Sequence, residues 1–153
     1  MTTTLTTRRS ASRMPTRHDL TQALLDYRQY GWGAFSDEHG NIMIGVGEHF
    51  DVLTFHRPLA AAVADALPAA PLFLDARIGR CTLLTAIARR RADLAPALVE
   101  AQVRAVPRGT PLLLPLTGGF DDLVWLTPPT LHALPLWDVA IAVVGRAVGG
   151  WSR

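Results

Sequence analysis

Apolar residues recur at two different spacings along the chain, and these spacings predict a mixture of helices and strands. Spacings of three and four residues mark helices; Leu59, Val63 and Leu67, for example, would share one helical face. Short apolar runs bounded by Gly, Pro, Asn or Asp mark strands. The predicted elements, in chain order, are a helix over 19–30, strands over 33–35, 42–46 and 50–55, a helix over 57–67, strands over 72–76 and 81–87, a helix-prone segment over 89–103 interrupted near Pro96, strands over 110–116 and 123–126, and a helix over 136–148.

Three polar or glycine-containing turns are expected to join six of these strands in pairs. The turns span residues 36–41, 77–80 and 117–122, and the last contains two adjacent glycines. Gly149 and Gly150 are expected to end the final helix. This order of elements predicts an α+β fold with a largely antiparallel sheet of hairpins and about four helices.

The first seventeen residues have a different composition, rich in Thr, Ser and Arg and poor in large apolar side chains. Such a segment buries too little surface to offset the entropy lost on ordering the chain. We therefore expect a disordered basic arm over residues 1–17 and a single domain over residues 18–153. The net charge is +2, and the excess lies in the arm, where Arg8, Arg9, Arg13 and Arg17 precede the first acidic residue.

Length and cysteine content limit the class of protein further. A chain of 153 residues, 49% of them hydrophobic, forms a sizeable core without metal or disulfide support. Cys81 is the single cysteine, so no intrachain disulfide forms, and this usage is typical of a reducing compartment. No apolar run approaches the roughly 20 residues that span a bilayer, and the N-terminus lacks the apolar stretch of a signal peptide. We expect a cytoplasmic protein with no membrane partner.

Residue content also excludes several kinds of chemistry. The 15 positions that are Lys or Arg are all arginine, so neither a phosphate-loop lysine nor a Schiff base is available. Gly45-Val46-Gly47 precedes a predicted strand, whereas a dinucleotide-binding loop needs a helix there. A metal site from His49, Asp51 and His56 is disfavoured because His56 lies an odd number of positions from the other two, on the opposite strand face. Cys81 lies in an apolar strand, which favours a buried side chain over a nucleophile.

Four stretches, taken in order, resemble the N-terminal primase/polymerase-like (prim-pol) domains of actinobacterial and plasmid proteins. The first is the opening helix with Tyr30-Gly31-Trp32, and the second is the apolar strand Phe50-Asp51-Val52-Leu53-Thr54-Phe55-His56. The third is Ile78-Gly79-Arg80-Cys81-Thr82-Leu83-Leu84, which matches the strand carrying the family's nucleotide-contacting histidine. The fourth pairs residues 110–116 with Leu123-Val124-Trp125-Leu126-Thr127-Pro128-Pro129.

Carried over by position, this resemblance implies a member without catalysis. Active members hold Mg²⁺ with two carboxylates on one strand face, and the matching positions here are Thr54 and His56. A neutral hydroxyl and an imidazole bind this hard cation weakly. The family's nucleotide-contacting histidine falls at Cys81, with Arg80 beside it. We therefore expect no catalytic residue, no metal and no cofactor.

Two functional hypotheses of different class follow. The first is a non-catalytic prim-pol-like module that binds DNA non-specifically and in a salt-sensitive way, in a replication or regulatory setting of an actinobacterium, plasmid or mobile element. The arginines expected to contact nucleic acid are Arg8, Arg9, Arg13, Arg17, Arg80, Arg89, Arg90 and Arg91. The second is a protein partner or homodimer that uses the apolar C-terminal segment. Its expected interface residues are Trp125, Leu131, Leu134, Leu136 and Trp137.

A small enzyme is the remaining alternative. It would use His49, Asp51, or the adjacent Asp121 and Asp122 of the last predicted turn. Adjacent carboxylates in a turn are more commonly solvated surface groups, so this alternative has the least support.

Overall fold

Two antiparallel sheets contain all eight strands that the computed structural model describes, over residues 14–116 and 122–151. One sheet has three strands in the order β1-β2-β7, and the other has five in the order β6-β3-β5-β4-β8. Four α-helices within the described ranges complete the α+β fold that the sequence predicted. The elements are α1 (Arg17–Arg28), β1 (Phe35–Ser36), β2 (Ile42–Gly45), β3 (Asp51–His56), a 3₁₀ turn (Arg57–Leu59), α2 (Ala60–Ala66), β4 (Leu72–Asp75), β5 (Arg80–Thr85), α3 (Pro96–Glu100), β6 (Arg104–Ala105), β7 (Pro111–Leu114), β8 (Leu123–Thr127) and α4 (Trp137–Trp151).

The first helix begins with a capping box. The Thr16 side chain accepts a hydrogen bond from the Asp19 N–H (3.2 Å), and the Asp19 carboxylate accepts one from the Thr16 N–H (2.7 Å). Arg17, predicted as the end of the arm, is therefore the first residue of α1. Residues 1–13, with Arg8, Arg9 and Arg13, lie outside the described residues, so the disordered arm stays a prediction.

Two of the three predicted hairpins are confirmed, and the third is wrong. β1 pairs with β2, and β4 pairs with β5, each antiparallel. β7 and β8 do not pair with each other: β7 lies against β2 in the small sheet, and β8 lies against β4 in the large one. Alternation within a strand specifies which face is apolar but not which strand lies beside it, so sequence proximity suggested the wrong partner.

The helix-prone segment over residues 89–103 contains only the short helix α3. Ala95, which precedes Pro96, has an extended backbone (φ −55°, ψ 144°), because the proline ring disfavours helix at the residue before it. The predicted end of the last helix is also wrong, since α4 continues through Gly149 and Gly150 to Trp151. Neither glycine adopts the left-handed conformation that makes glycine a helix stop.

The large sheet is covered by apolar side chains on both faces. Leu53 and Phe55 of β3 point towards a core that includes residues of α2, α3 and α4, and Cys81 of β5 belongs to the same core. Val52 points the other way, into a second core with α1 and the three-stranded sheet. Cys81 is fully buried, as its apolar surroundings in the sequence predicted. No helix in the described ranges has the length and apolar character needed to cross a membrane.

A buried hydrogen-bonded chain joins the two sheets through α1. The Trp125 indole N–H donates to the Tyr27 hydroxyl (3.0 Å), and that hydroxyl donates to the carbonyl of the buried Pro115. The Tyr27 ring stacks on Trp32 with 5.9 Å between ring centroids, and Trp125 meets Phe73 edge-on at 5.2 Å. Burial raises the pKa of Tyr27 above its ordinary value, so the hydroxyl keeps the proton that it donates.

The substitution Tyr27→Phe should lower the free energy of unfolding by about 1–3 kcal/mol, because it leaves the Trp125 N–H and the Pro115 carbonyl without their partner. Chemical denaturation measures this change. Tyr30→Phe is the matched control: the Tyr30 ring also packs on Trp32, but its hydroxyl forms no hydrogen bond with the described residues. Equal losses in the two variants would contradict the assignment.

Candidate functional site

Polar and positively charged side chains lie together at one end of the large sheet, on the face opposite α2 and α4. Thr54 and His56 alternate onto this face of β3, and strand register places Arg104 of β6 opposite Thr54 and Arg80 of β5 opposite His56. α1 and the three-stranded sheet cover the apolar part of the same face around Val52. We call Thr54, His56, Arg80, Gln102 and Arg104 the basic face.

Hydrogen bonds hold four of these side chains, those of Thr54, His56, Arg80 and Gln102, in a fixed arrangement. The Arg80 Nη2 donates to the Thr54 Oγ1 (2.8 Å) and to the backbone carbonyl of Gln102 (2.7 Å). The His56 Nε2 lies 2.9 Å from the Gln102 Oε1. Because an amide oxygen only accepts, the His56 Nε2 carries the proton in this contact. Gln102 therefore connects the Arg80 guanidinium and the His56 imidazole.

The charge of the basic face is not neutralised within the described part of the chain. Partial burial lowers the pKa of Arg80 from its ordinary value, and the nearby positive charge of Arg104 lowers it by a smaller amount. The arginine nevertheless stays charged at ordinary pH. Among the described residues, neither arginine forms an ion pair with a carboxylate. Asp75, the register partner of Arg80 on β4, bonds instead to Arg77 (3.3 Å). Two unpaired guanidinium groups side by side favour an anionic ligand.

The opposite end of β3 holds a buried ion cluster around Asp51. The fully buried Asp51 carboxylate accepts hydrogen bonds from Arg108 Nε (3.1 Å) and Nη2 (2.8 Å) and from the Ala88 N–H (2.9 Å). Arg91 Nη1 lies 3.5 Å away. Burial alone raises the pKa of Asp51, but the hydrogen bonds and the positive charges of Arg108 and Arg91 outweigh it, so the pKa lies below its ordinary value. These contacts indicate that the Asp51 carboxylate stabilises the fold.

The described arginines of the predicted nucleic-acid site are not brought together. Arg91 donates to the Val106 carbonyl (2.7 Å) and lies over the Trp137 ring at 5.4 Å. Its guanidinium therefore contacts the core as well as the ion cluster. Arg89 and Arg90 are exposed in a bend beyond the far end of β5, a strand about 17 Å long by its rise per residue. Arg17 lies at the start of α1. Of the described arginines in that prediction, only Arg80 lies on the basic face.

The three positions matched to the prim-pol site also divide between the two faces of the sheet. Thr54 and His56 lie on the basic face, but Cys81 lies in the core on the other side, and burial raises its pKa to about 11. Arg80 and Thr82 flank Cys81 on β5 and share the face of Thr54. The position-by-position match therefore does not assemble one site from all three residues.

The described residues of the remaining enzyme alternative each make a different contact. The exposed His49 accepts a hydrogen bond from the Gly33 N–H (3.2 Å), and Asp51 belongs to the buried cluster. Asp122 lies 3.8 Å from Arg77 Nε, and Asp121 is outside the described residues. Within the described ranges, no group of three His, Cys, Asp or Glu side chains is arranged to hold a metal ion.

The predicted partner interface is only partly on the surface. Trp137 is buried in the core, and Trp125 and Leu134 are half-buried against α1 and the small sheet. Leu131 and Leu136 are exposed, at 82% and 66%. The apolar C-terminal segment therefore contributes to both core and surface.

Three residues of these sites were missed by sequence reasoning: Gln102, Arg104 and Arg108. Residues 101–105 alternate apolar and polar, which is a strand signal, but the helix-prone pattern of residues 89–103 obscured it. No local pattern could have shown that Arg108 pairs with Asp51, because 57 positions separate them. Comparison with known proteins does not identify the site either, since no family model, no curated protein and no solved structure matches this chain.

The substitution Asp51→Asn should lower the free energy of unfolding by about 3–5 kcal/mol at neutral pH, because it leaves Arg108 and Arg91 without their counter-charge. The folded pKa of Asp51 lies below the unfolded value of 3.8. The stabilisation is therefore complete above the unfolded pKa and is lost as the pH falls through the folded one.

Denaturation curves across pH measure this difference. The gap between the two proteins should be constant from about pH 7 to 5 and should shrink below about pH 4. Asp65→Asn, at an exposed position of α2, is the control and should change little. A gap that persists unchanged at the lowest pH would show that the carboxylate charge is not its cause.

Proposed function

We propose that this protein is a non-catalytic nucleic-acid-binding module of prim-pol-like organisation, and that the basic face contacts the phosphate backbone. The observation that carries this proposal is the pair of adjacent arginines, Arg80 and Arg104, without a carboxylate partner among the described residues. Phosphate groups supply the missing negative charge, and their contacts carry no sequence information. Binding is therefore non-specific.

The geometry of Arg80 supports this role. Its Nη2 is held by Thr54 and by the Gln102 carbonyl, while Nε and Nη1 retain their N–H donors. A guanidinium that is already fixed loses little conformational freedom when it binds an oxyanion. Arg104 is exposed and adds a second positive charge beside it. The pair fits a chain of phosphates that passes across the end of the sheet.

The non-catalytic part of the proposal rests on Thr54 and His56. These two side chains lie where the resemblance places the metal-binding carboxylates, on one face of β3 and beside Arg80. A hydroxyl, an imidazole and a guanidinium do not form a site for Mg²⁺, which prefers carboxylate oxygens. A replication or regulatory setting in the cytoplasm, in an actinobacterium or on a mobile element, belongs to the same proposal.

Fluorescence anisotropy with labelled single- and double-stranded DNA tests the proposal on the full chain. The affinity should fall steeply between about 50 and 200 mM salt, because each phosphate contact releases a counterion. Arg104→Gln should weaken binding and should reduce the slope of log K against log salt by about 0.9 for duplex or about 0.7 for single strands. Arg146→Gln, exposed on α4 across the sheet, is the control.

A third variant separates the basic face from the N-terminal segment. Arg8, Arg9 and Arg13 are replaced together by glutamine in the full chain. If that variant loses all DNA binding while Arg104→Gln binds DNA as tightly as the unmodified protein, the binding site lies in the first thirteen residues and not on the basic face. No binding by any form at low salt would overturn the proposed function.

Contact between two copies of the chain is the second candidate function, and the exposure of Leu131 and Leu136 favours it. Exposed apolar side chains that form a contiguous patch mark interaction sites. The solution mass should rise with concentration, and replacing both leucines with serine should abolish the rise with little change in stability. Light scattering measures the mass, and a mass that stays monomeric at all concentrations would exclude this candidate.

A further inference from the structure

One residue of the basic face has an unusual backbone conformation. Gln102 has a φ of 59°, and it is the one residue other than glycine with a positive φ in the described ranges. It follows α3, where its N–H donates to the Val99 carbonyl (3.0 Å) and the Val103 N–H donates to the Leu98 carbonyl (2.9 Å). This pattern is a Schellman motif, and its left-handed position is normally occupied by glycine, which has no Cβ to strain.

The side chain at this position does something that glycine could not do. The Gln102 Oε1 accepts the hydrogen bond from the His56 Nε2, while the backbone carbonyl of the same residue accepts the bond from Arg80. Glycine would retain the carbonyl and lose the contact with His56. Strained residues of this kind are found chiefly where function requires them.

We infer that Gln102 is a positioning residue for nucleic-acid binding: its left-handed conformation turns the end of α3 onto the basic face and fixes His56 and Arg80 there. This inference rests on the proposed function. With both groups fixed before binding, less conformational freedom is lost when the phosphate backbone arrives. The strained φ of Gln102 lowers the stability of the free protein. Removing the strain together with the side-chain amide should therefore raise stability and weaken DNA binding.

Two substitutions separate the strain from the contact. Gln102→Gly relieves the strained φ and removes the amide oxygen, whereas Gln102→Met keeps the Cβ and the length of the side chain and removes only the amide. Gln102→Gly should raise Tm by about 2–4 °C. Gln102→Met should not raise Tm. Both should weaken DNA binding about two- to tenfold, the range expected for one lost hydrogen bond.

Anisotropy titrations at low salt and thermal unfolding of the full-length proteins measure the two quantities. A purely structural helix cap predicts a different result: Gln102→Gly would gain stability and would bind DNA as the unmodified chain does. That result would overturn the inference. Side-chain ¹⁵N spectra add a readout without DNA, since the His56 Nε2–H should be hydrogen-bonded in the unmodified protein and should lose that bond in both variants.

The same titrations distinguish this inference from the proposed function. Binding by the unmodified chain, weakened in Arg104→Gln but unchanged in Gln102→Gly and Gln102→Met, would overturn the role of Gln102 alone. Absence of salt-sensitive binding by the unmodified chain would overturn the proposed function and the role of Gln102 with it.

Discussion

The buried carboxylate of Asp51 is the constraint on which the arrangement of the chain around the large sheet depends. An ionised group with no exposure to water requires opposite charge and hydrogen-bond donors within reach. Arg108, Arg91 and the Ala88 N–H supply them from segments far along the sequence. These contacts fix the chain after β5 and the chain before β7 against the start of β3. Arg91 then lies over Trp137 and connects the cluster to α4.

The two ends of β3 differ in how their arginines are neutralised. Arg91 and Arg108 are used to neutralise Asp51, and Arg77 bonds to Asp75. Arg80 and Arg104 have no such partner among the described residues. A net charge of +2 is too small to indicate nucleic-acid binding by itself. The distribution matters more, because paired arginines stabilise the fold while unpaired ones at one sheet end create a local positive potential.

Gln102 shows how the fold and the basic face are coupled. The left-handed residue that ends α3 also presents the acceptors that orient His56 and Arg80, so one backbone conformation serves both. The same position favours glycine for stability. Retaining a strained side chain there is understandable if the proposed binding function depends on it.

Periodicity and turn residues are local features of the sequence. From them follow the α+β class, the first two hairpins, the buried Cys81 and the strand that carries Thr54 and His56. The tertiary structure decided which strands pair, so β7 and β8 belong to different sheets although they are neighbours in sequence. It also decided which arginines are neutralised, since Asp51 and Arg108 lie 57 positions apart. Of the basic face, Arg80, Thr54 and His56 could be singled out in advance, whereas Gln102 and Arg104 could not. Pairing and charge neutralisation depend on contacts distant in sequence, which only packing brings together.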